Sequence, residues 1–134
     1  MTYDIEITRF TPGPTVERHT SETPEAAAQR VQLDVRTQFV LFVAALERER
    51  NVDWGNFYLW CNAERALIQL NEHCEHFARD PQIPLGDDST VLFQDEDGSS
   101  FSVPHHQTLA PEQALAALLF WLPDQQHTPA LEWS

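Results

Sequence analysis

Two apolar runs, Trp54–Cys61 and Ala66–Asn71, stand on either side of the short polar segment Asn62-Ala63-Glu64-Arg65. Aromatic and branched side chains of this kind suit a pleated, half-buried surface. A connection this short joins antiparallel neighbours, because a parallel pair needs a crossover of a dozen or more residues. The chain therefore contains an antiparallel pair, and its other segments must be compatible with one. From Tyr3 to Thr8, Tyr3, Ile5 and Ile7 alternate with Asp4, Glu6 and Thr8, the period of a half-buried strand, until Thr11-Pro12-Gly13-Pro14 ends it. After the Pro81–Ser89 loop, Val91–Gln94 and Phe101–Val103 flank Asp95-Glu96-Asp97-Gly98, and an Asp-Gly pair between apolar runs signals a hairpin. The short apolar stretch Pro129-Ala130-Leu131-Glu132-Trp133 reads as a final strand tucked into the sheet.

Two segments carry helix signals. Thr23-Pro24-Glu25 combines an N-cap residue, a proline at the first helical position and a first-turn carboxylate. Val31, Val35, Phe39, Phe42 and Leu46 come after it at helical spacing, which predicts a helix to about Arg50 with Glu47-Arg48-Glu49-Arg50 as its solvated end. Pro111-Glu112 opens the second helix, in which Leu115, Leu118, Leu119 and Leu122 form a stripe that must pack on the sheet; Pro123-Asp124 closes it. The strand containing Leu67–Leu70 is expected to run on through Glu72 toward Phe77. The sum is an α+β fold: one domain over residues 1–134, with an antiparallel sheet of about five to seven strands and two helices on one face. Its length and 42% hydrophobic content suffice for one core.

Charge restricts the partners. The net charge is −13, all eight basic residues are arginines, and the last of them is Arg79. Asp80, Asp87, Asp88, Asp95, Glu96, Asp97, Glu112, Asp124 and Glu132 lie beyond it or beside it. Such a chain repels nucleic-acid phosphates and anionic membranes, so the expected partner is cationic and binds neither through nucleic acid nor through lipid. The N-terminus lacks a basic segment followed by an apolar one, and no apolar run approaches the ~18 residues of a spanning helix, so a cytoplasmic location is expected. Cys61 and Cys74 are too few for a disulfide scaffold and read as buried free thiols.

Catalytic motifs are sparse. His73-Cys74-Glu75-His76 is dense in metal-ligand types, but zinc needs a third and usually a fourth ligand, which only His105-His106 or Cys61 could supply from afar. Half-exposed residues at a sheet edge are the simpler reading. The same segment matches the His-x-Glu half of a nucleobase deaminase signature, yet the Pro-Cys-x-x-Cys half is missing. There is neither a Gly-x-Ser-x-Gly elbow nor a phosphate-cradling loop. Asp95-Glu96-Asp97-Gly98 lacks the spacing and closing glutamate of a calcium loop. The expectation is a binding protein without catalytic residues, cofactor or metal.

The last third of the chain resembles immunity protein family 1 of the bacterial polymorphic-toxin immunity proteins. The similarity lies in the strand and acidic turn Val91–Gly98, a strand ending in Pro104, the helix start Pro111-Glu112-Gln113-Ala114-Leu115-Ala116-Ala117-Leu118, and the closing Pro129-Ala130-Leu131-Glu132-Trp133. The resemblance implies an α+β domain that binds and neutralises a cognate toxin, often a nucleic-acid deaminase, in the cytoplasm of the cell that makes it. A toxin acting on nucleic acid needs a cationic groove, to which an acidic partner is steered. Asp87, Asp88, Asp95, Glu96 and Asp97, on loops without arginines nearby in sequence, are the candidate contact patch, and Trp54 beside Gly55 is a candidate aromatic anchor. Trp121 and Trp133 read as core. Two alternatives remain open: an acidic nucleic-acid mimic that inhibits another DNA-binding protein, and a small metal-assisted hydrolase using His73 and His76.

Overall fold

A computed structural model describes residues 1–87 and 89–134. Among these residues nine strands and two α-helices succeed one another as β1 (Thr2–Arg9), β2 (Thr15–Ser21), α1 (Pro24–Arg30), β3 (Gln38–Glu47), β4 (Val52–Asn62), β5 (Ala66–Asn71), β6 (Glu75–Arg79), β7 (Thr90–Gln94), β8 (Ser100–Pro104), α2 (Pro111–Trp121) and β9 (Glu132–Trp133). Seven of the strands form one sheet in the order β2-β1-β3-β4-β5-β6-β9, and β7 and β8 form a separate hairpin. Every pairing in both is antiparallel. The fold is α+β with a sheet-dominated core, as the sequence predicts.

Both helices cover one face of the large sheet. Tyr3, Ile5 and Ile7 of β1, Leu41 and Val43 of β3, Phe57 and Leu59 of β4 and Ile68 and Leu70 of β5 point into a sealed cluster with Ala27, Val31, Ala114, Ala117, Leu118 and Trp121. Trp121 packs on Phe57 with ring centroids 5.5 Å apart. The Tyr3 hydroxyl donates to the Leu122 carbonyl, tying β1 to the end of α2. The buried side of α2 is centred on Ala114, Ala117, Leu118 and Trp121, rotated from the expected leucine stripe, so Leu115 and Leu119 are only partly buried. Small alanines let the helix backbone approach the sheet closely. The α2 start is fixed by Gln113, whose Oε1 accepts from the Ala110 amide at 2.9 Å.

The long first helix is corrected by the structure. Its start is as expected, with Thr23 Oγ1 accepting from the Ala26 amide, but the helix stops at Arg30. Asp34 then builds a turn, its carboxylate accepting from the Arg36 amide and its carbonyl from the Thr37 amide. The chain next enters β3, in the centre of the sheet, with Phe39, Val40, Leu41 and Val43 all buried. A strand sealed on one face and packed by the hairpin and by aromatic neighbours on part of the other is apolar nearly throughout, and in such a run helical spacing can be found too. Glu47-Arg48-Glu49-Arg50 is accordingly no helix end but the passage from β3 to β4. There Arg48 bonds both carboxylate oxygens of Asp4, and Arg50 pairs with Glu47.

Three smaller differences have related causes. Thr15–Ser21, a polar segment without a strand signal, is edge strand β2; apart from Val16 its side chains are polar on both sides, because an edge is solvated. The strand containing Leu67–Leu70 ends at Asn71, and a turn through His73 leads into a separate β6. Cys61 is buried as expected, whereas Cys74 sits exposed on that turn.

Candidate partner-binding surface

The second face of the large sheet is covered by the β7–β8 hairpin over only part of its area. Beneath the hairpin, Val40, Trp60 and Leu67 meet Phe93, with Phe101, Val91 and Val103 packed around them. The adjacent row across the sheet is set by register: Arg18 opposite Glu6, Glu6 opposite Phe42, Phe42 opposite Tyr58, Tyr58 opposite Gln69, and Gln69 opposite Phe77. Residues paired across a sheet share a face. This row is half-buried to exposed, so no element seals it among the described residues. Its aromatic side chains continue those under the hairpin. Phe42 and Tyr58 lie 4.6 Å apart, Tyr58 stacks on Trp60 at 5.2 Å, and Trp60 meets Phe101 edge-on at 5.7 Å.

The acidic turn of the hairpin stands beside this row. Trp60 Nε1 donates to Asp95 Oδ1 at 3.1 Å, which fixes the turn against the sheet. Asp97 is engaged within the turn by the Ser99 hydroxyl and amide at 2.6 and 2.9 Å, and those bonds hold its carboxyl below the usual range. Glu96 behaves oppositely. Partial burial first, and then the charges of Glu6 and Asp95, push its carboxyl above the usual range. The Tyr58 hydroxyl is raised too, by burial first and then by Glu96, Asp95 and Glu6. Arg18 is the cation at this corner, its Nε donating to Glu6 at 3.1 Å from a side chain 73% exposed. Among the described residues no arginine pairs with Asp95, Glu96 or Asp97.

The structure does not bring the sequence-predicted patch together. Asp87 lies at the other end of the hairpin, roughly 17 Å away along β7 at the usual strand rise. There its carboxylate meets His105 Nδ1 at 2.6 Å and the Ser89 hydroxyl at 2.7 Å. Bonds from Ser89, and then from His105, lower its pKa. Asp88 lies outside the described residues. Trp54 is exposed on β4 at the β3–β4 bulge, with Nε1 donating to Glu47 at 2.9 Å. Next to it Gly55 has φ +119°, and a Cβ there would meet the Asn71 carbonyl oxygen at 2.7 Å, so the bulge that presents Trp54 depends on this glycine. Trp121 is core, and Trp133 is half-buried with Nε1 donating to the Thr128 carbonyl.

The residues that sequence reasoning missed are Glu6, Phe42 and Tyr58. Alternation placed Glu6 on the face opposite Ile5 and Ile7, but only the register joins it to Phe42 and Tyr58.

The histidine segment forms a different cluster. Cys74 Sγ lies 3.4 Å from His76 Nε2, His76 Nδ1 lies 2.7 Å from the Ser134 main-chain oxygen, and His127 pairs with Glu72 at 2.6 Å. These contacts tie the β5–β6 turn to the C-terminal segment. His73 is exposed, and among the described residues no group of three or more His, Cys, Asp or Glu side chains is placed to hold a metal ion. Among the described residues, too, no helix is long and apolar enough to cross a membrane.

The chain matches no protein-family model, and no curated protein matches it.

Proposed function

We propose that this protein is a non-enzymatic immunity protein that neutralises a cationic bacterial toxin by stoichiometric binding, and that the toxin is a nucleic-acid-targeting deaminase made by the same cell. The observation that carries the reading is the acidic hairpin turn held by Trp60 beside an uncovered aromatic row. Charge of one sign, concentrated at a surface that also offers apolar area, steers an oppositely charged partner and then lets desolvated anchors hold it. With net charge −13, the protein competes for a groove built to accept phosphates. The resemblance of residues 91–133 to immunity protein family 1 supports the toxin as the partner and the cytoplasm as the place.

The test is a pull-down of the toxin domain encoded by the neighbouring gene, together with co-expression of the two proteins. One-to-one capture, protection of the cell, and weaker association on going from low salt to about 0.5 M are expected, since screening shortens electrostatic reach. Lack of capture, or a toxin that kills at the same dose with and without this protein, would sink the reading.

A further inference from the structure

We infer that the uncovered half of the sheet's second face receives an arginine-bearing segment of the protein partner, with a guanidinium seated against Phe42 and Tyr58 between the carboxylates of Glu6 and Glu96. The inference rests on the binding function proposed above and names its contact.

Four features select this occupant. First, the row from Glu6 to Phe77 crosses five strands without a covering element among the described residues, while the neighbouring row is sealed by the hairpin. Second, Phe42 and Tyr58 lie 4.6 Å apart and both are only half-buried, so this row still presents aromatic surface to solvent. Third, carboxylates flank this row from two different elements: Glu6 of β1 stands in register opposite Phe42, and Glu96 belongs to the hairpin turn that Trp60 holds through Asp95. Glu6 already pairs with the exposed Arg18, but among the described residues no arginine pairs with Glu96, so negative charge beside the aromatic row is left for a further cation.

Fourth, Arg suits this place better than Lys. A guanidinium is planar, weakly hydrated and able to stack on a ring while its N–H groups reach carboxylates at its edges; an ammonium keeps its water. A second copy of this chain is disfavoured, because it would bring the same acids face to face on a molecule of net charge −13. Nucleic acid is disfavoured by its phosphates.

The full-length chain, labelled with nitrogen-15, is titrated by NMR with a hexa-arginine peptide and separately with a hexa-lysine peptide at the same ionic strength. Expected are shifts centred on Phe42, Tyr58, Gln69 and Glu96 and a preference of about threefold or more for the arginine peptide. Tyr58→Leu should abolish the preference, and Glu96→Gln, which removes charge without removing packing, should weaken both peptides. Equal affinity for the two peptides overturns the inference, as do shifts spread evenly over the acidic loops. If Tyr58→Leu unfolds the chain, Glu96→Gln still decides: unchanged affinity overturns the contact. The two readings separate cleanly. Tyr58→Leu and Glu96→Gln variants that bind the neighbouring toxin as tightly as wild-type protein does overturn this contact and leave the immunity function standing. Wild-type protein that ignores the toxin overturns that function, while the peptide titration continues to decide the sheet face.

Discussion

The two faces of the seven-stranded sheet are built from the same strands and differ in nearly everything else. The helix face is closed: Tyr3, Leu41, Val43, Phe57, Ile68, Leu70, Leu118 and Trp121 each retain 1% or less of their accessible surface. The hairpin face has a small apolar cluster of Val40, Trp60, Leu67 and Phe93, then grades into half-exposed aromatics and unneutralised acids. Stability is concentrated on the first face. The second gives up burial for a surface that can still bind something. Ordered from the largest effect to the smallest, substitutions on the two faces should show this division.

Trp121→Ala should cost the most. The side chain is buried to 1% and rests on Phe57, so its removal leaves a cavity between α2 and the sheet, with an expected loss of about 3–5 kcal/mol. Urea denaturation checks this, with a lower midpoint and an unchanged slope. A loss below about 1 kcal/mol would mean that α2 does not seal the core, and the contrast between the faces would fail.

Phe93→Ala removes an equally buried ring, yet its effect should be smaller and of another kind. Phe93 anchors a two-stranded hairpin that shares no strand pairing with the large sheet. Once the hairpin loosens, further loss cannot fall on the sheet, so about 2 kcal/mol is expected and local opening should dominate. Hydrogen exchange should accelerate in Thr90–Pro104 while the amides of β3 and β4 keep their protection. Equal acceleration in both places would show one cooperative unit and erase the distinction.

The same contrast explains what the sequence disclosed. Strands with one covered face were legible, as Tyr3–Thr8 shows, because burial on one side and water on the other write alternation into the residues. The hairpin was legible from Asp97-Gly98, and both helix starts from their proline and capping signals. β3 was not. Packed by helices on one side and by the hairpin and neighbouring aromatics on the other, it carries Phe39-Val40-Leu41-Phe42-Val43 without alternation, and a run of that kind satisfies helical spacing too. β2 was invisible for the opposite reason, since an edge with polar side chains on both sides looks like a loop. At the candidate surface, acidity was legible and assembly was not. Sequence proximity grouped Asp87 with Asp95–Asp97, whereas antiparallel geometry sends them to opposite ends of the hairpin. It brings in Glu6 instead, from the far N-terminal strand.

The smallest effect is the most informative about function. Glu96 has a folded pKa raised above its ordinary value of 4.5, with Glu6 on β1, Arg18 on β2, Tyr58 on β4, and Asp95 and Asp97 of its own turn as the titratable groups around it. A raised carboxyl favours the folded state only while protonated. Its contribution is fully present below the unfolded pKa and is lost as pH rises through the folded one. At pH 7 the native protein therefore carries the whole penalty of partial burial and of repulsion by Glu6 and Asp95, and Glu96→Gln should be more stable than the parent, by about 0.5 kcal/mol or less at a site this exposed to screening solvent. The advantage should vanish as pH falls through the folded value to the ordinary 4.5. Asp97 has the opposite sign: its pKa is lowered by Ser99, so its stabilisation is present above 3.8 and lost as pH falls through the folded value. Thermal melts of parent and Glu96→Gln between about pH 3.5 and 7 would reveal a difference that grows with pH. If the turn serves only solubility, that substitution costs nothing elsewhere. If the turn faces a cationic partner, the variant gains stability and loses affinity, which is the trade expected where a surface is kept strained for binding. A Glu96→Gln protein that is less stable at pH 7 would show that Glu96 is held by favourable contacts, and the sheet's second face would then be no more frustrated than its first.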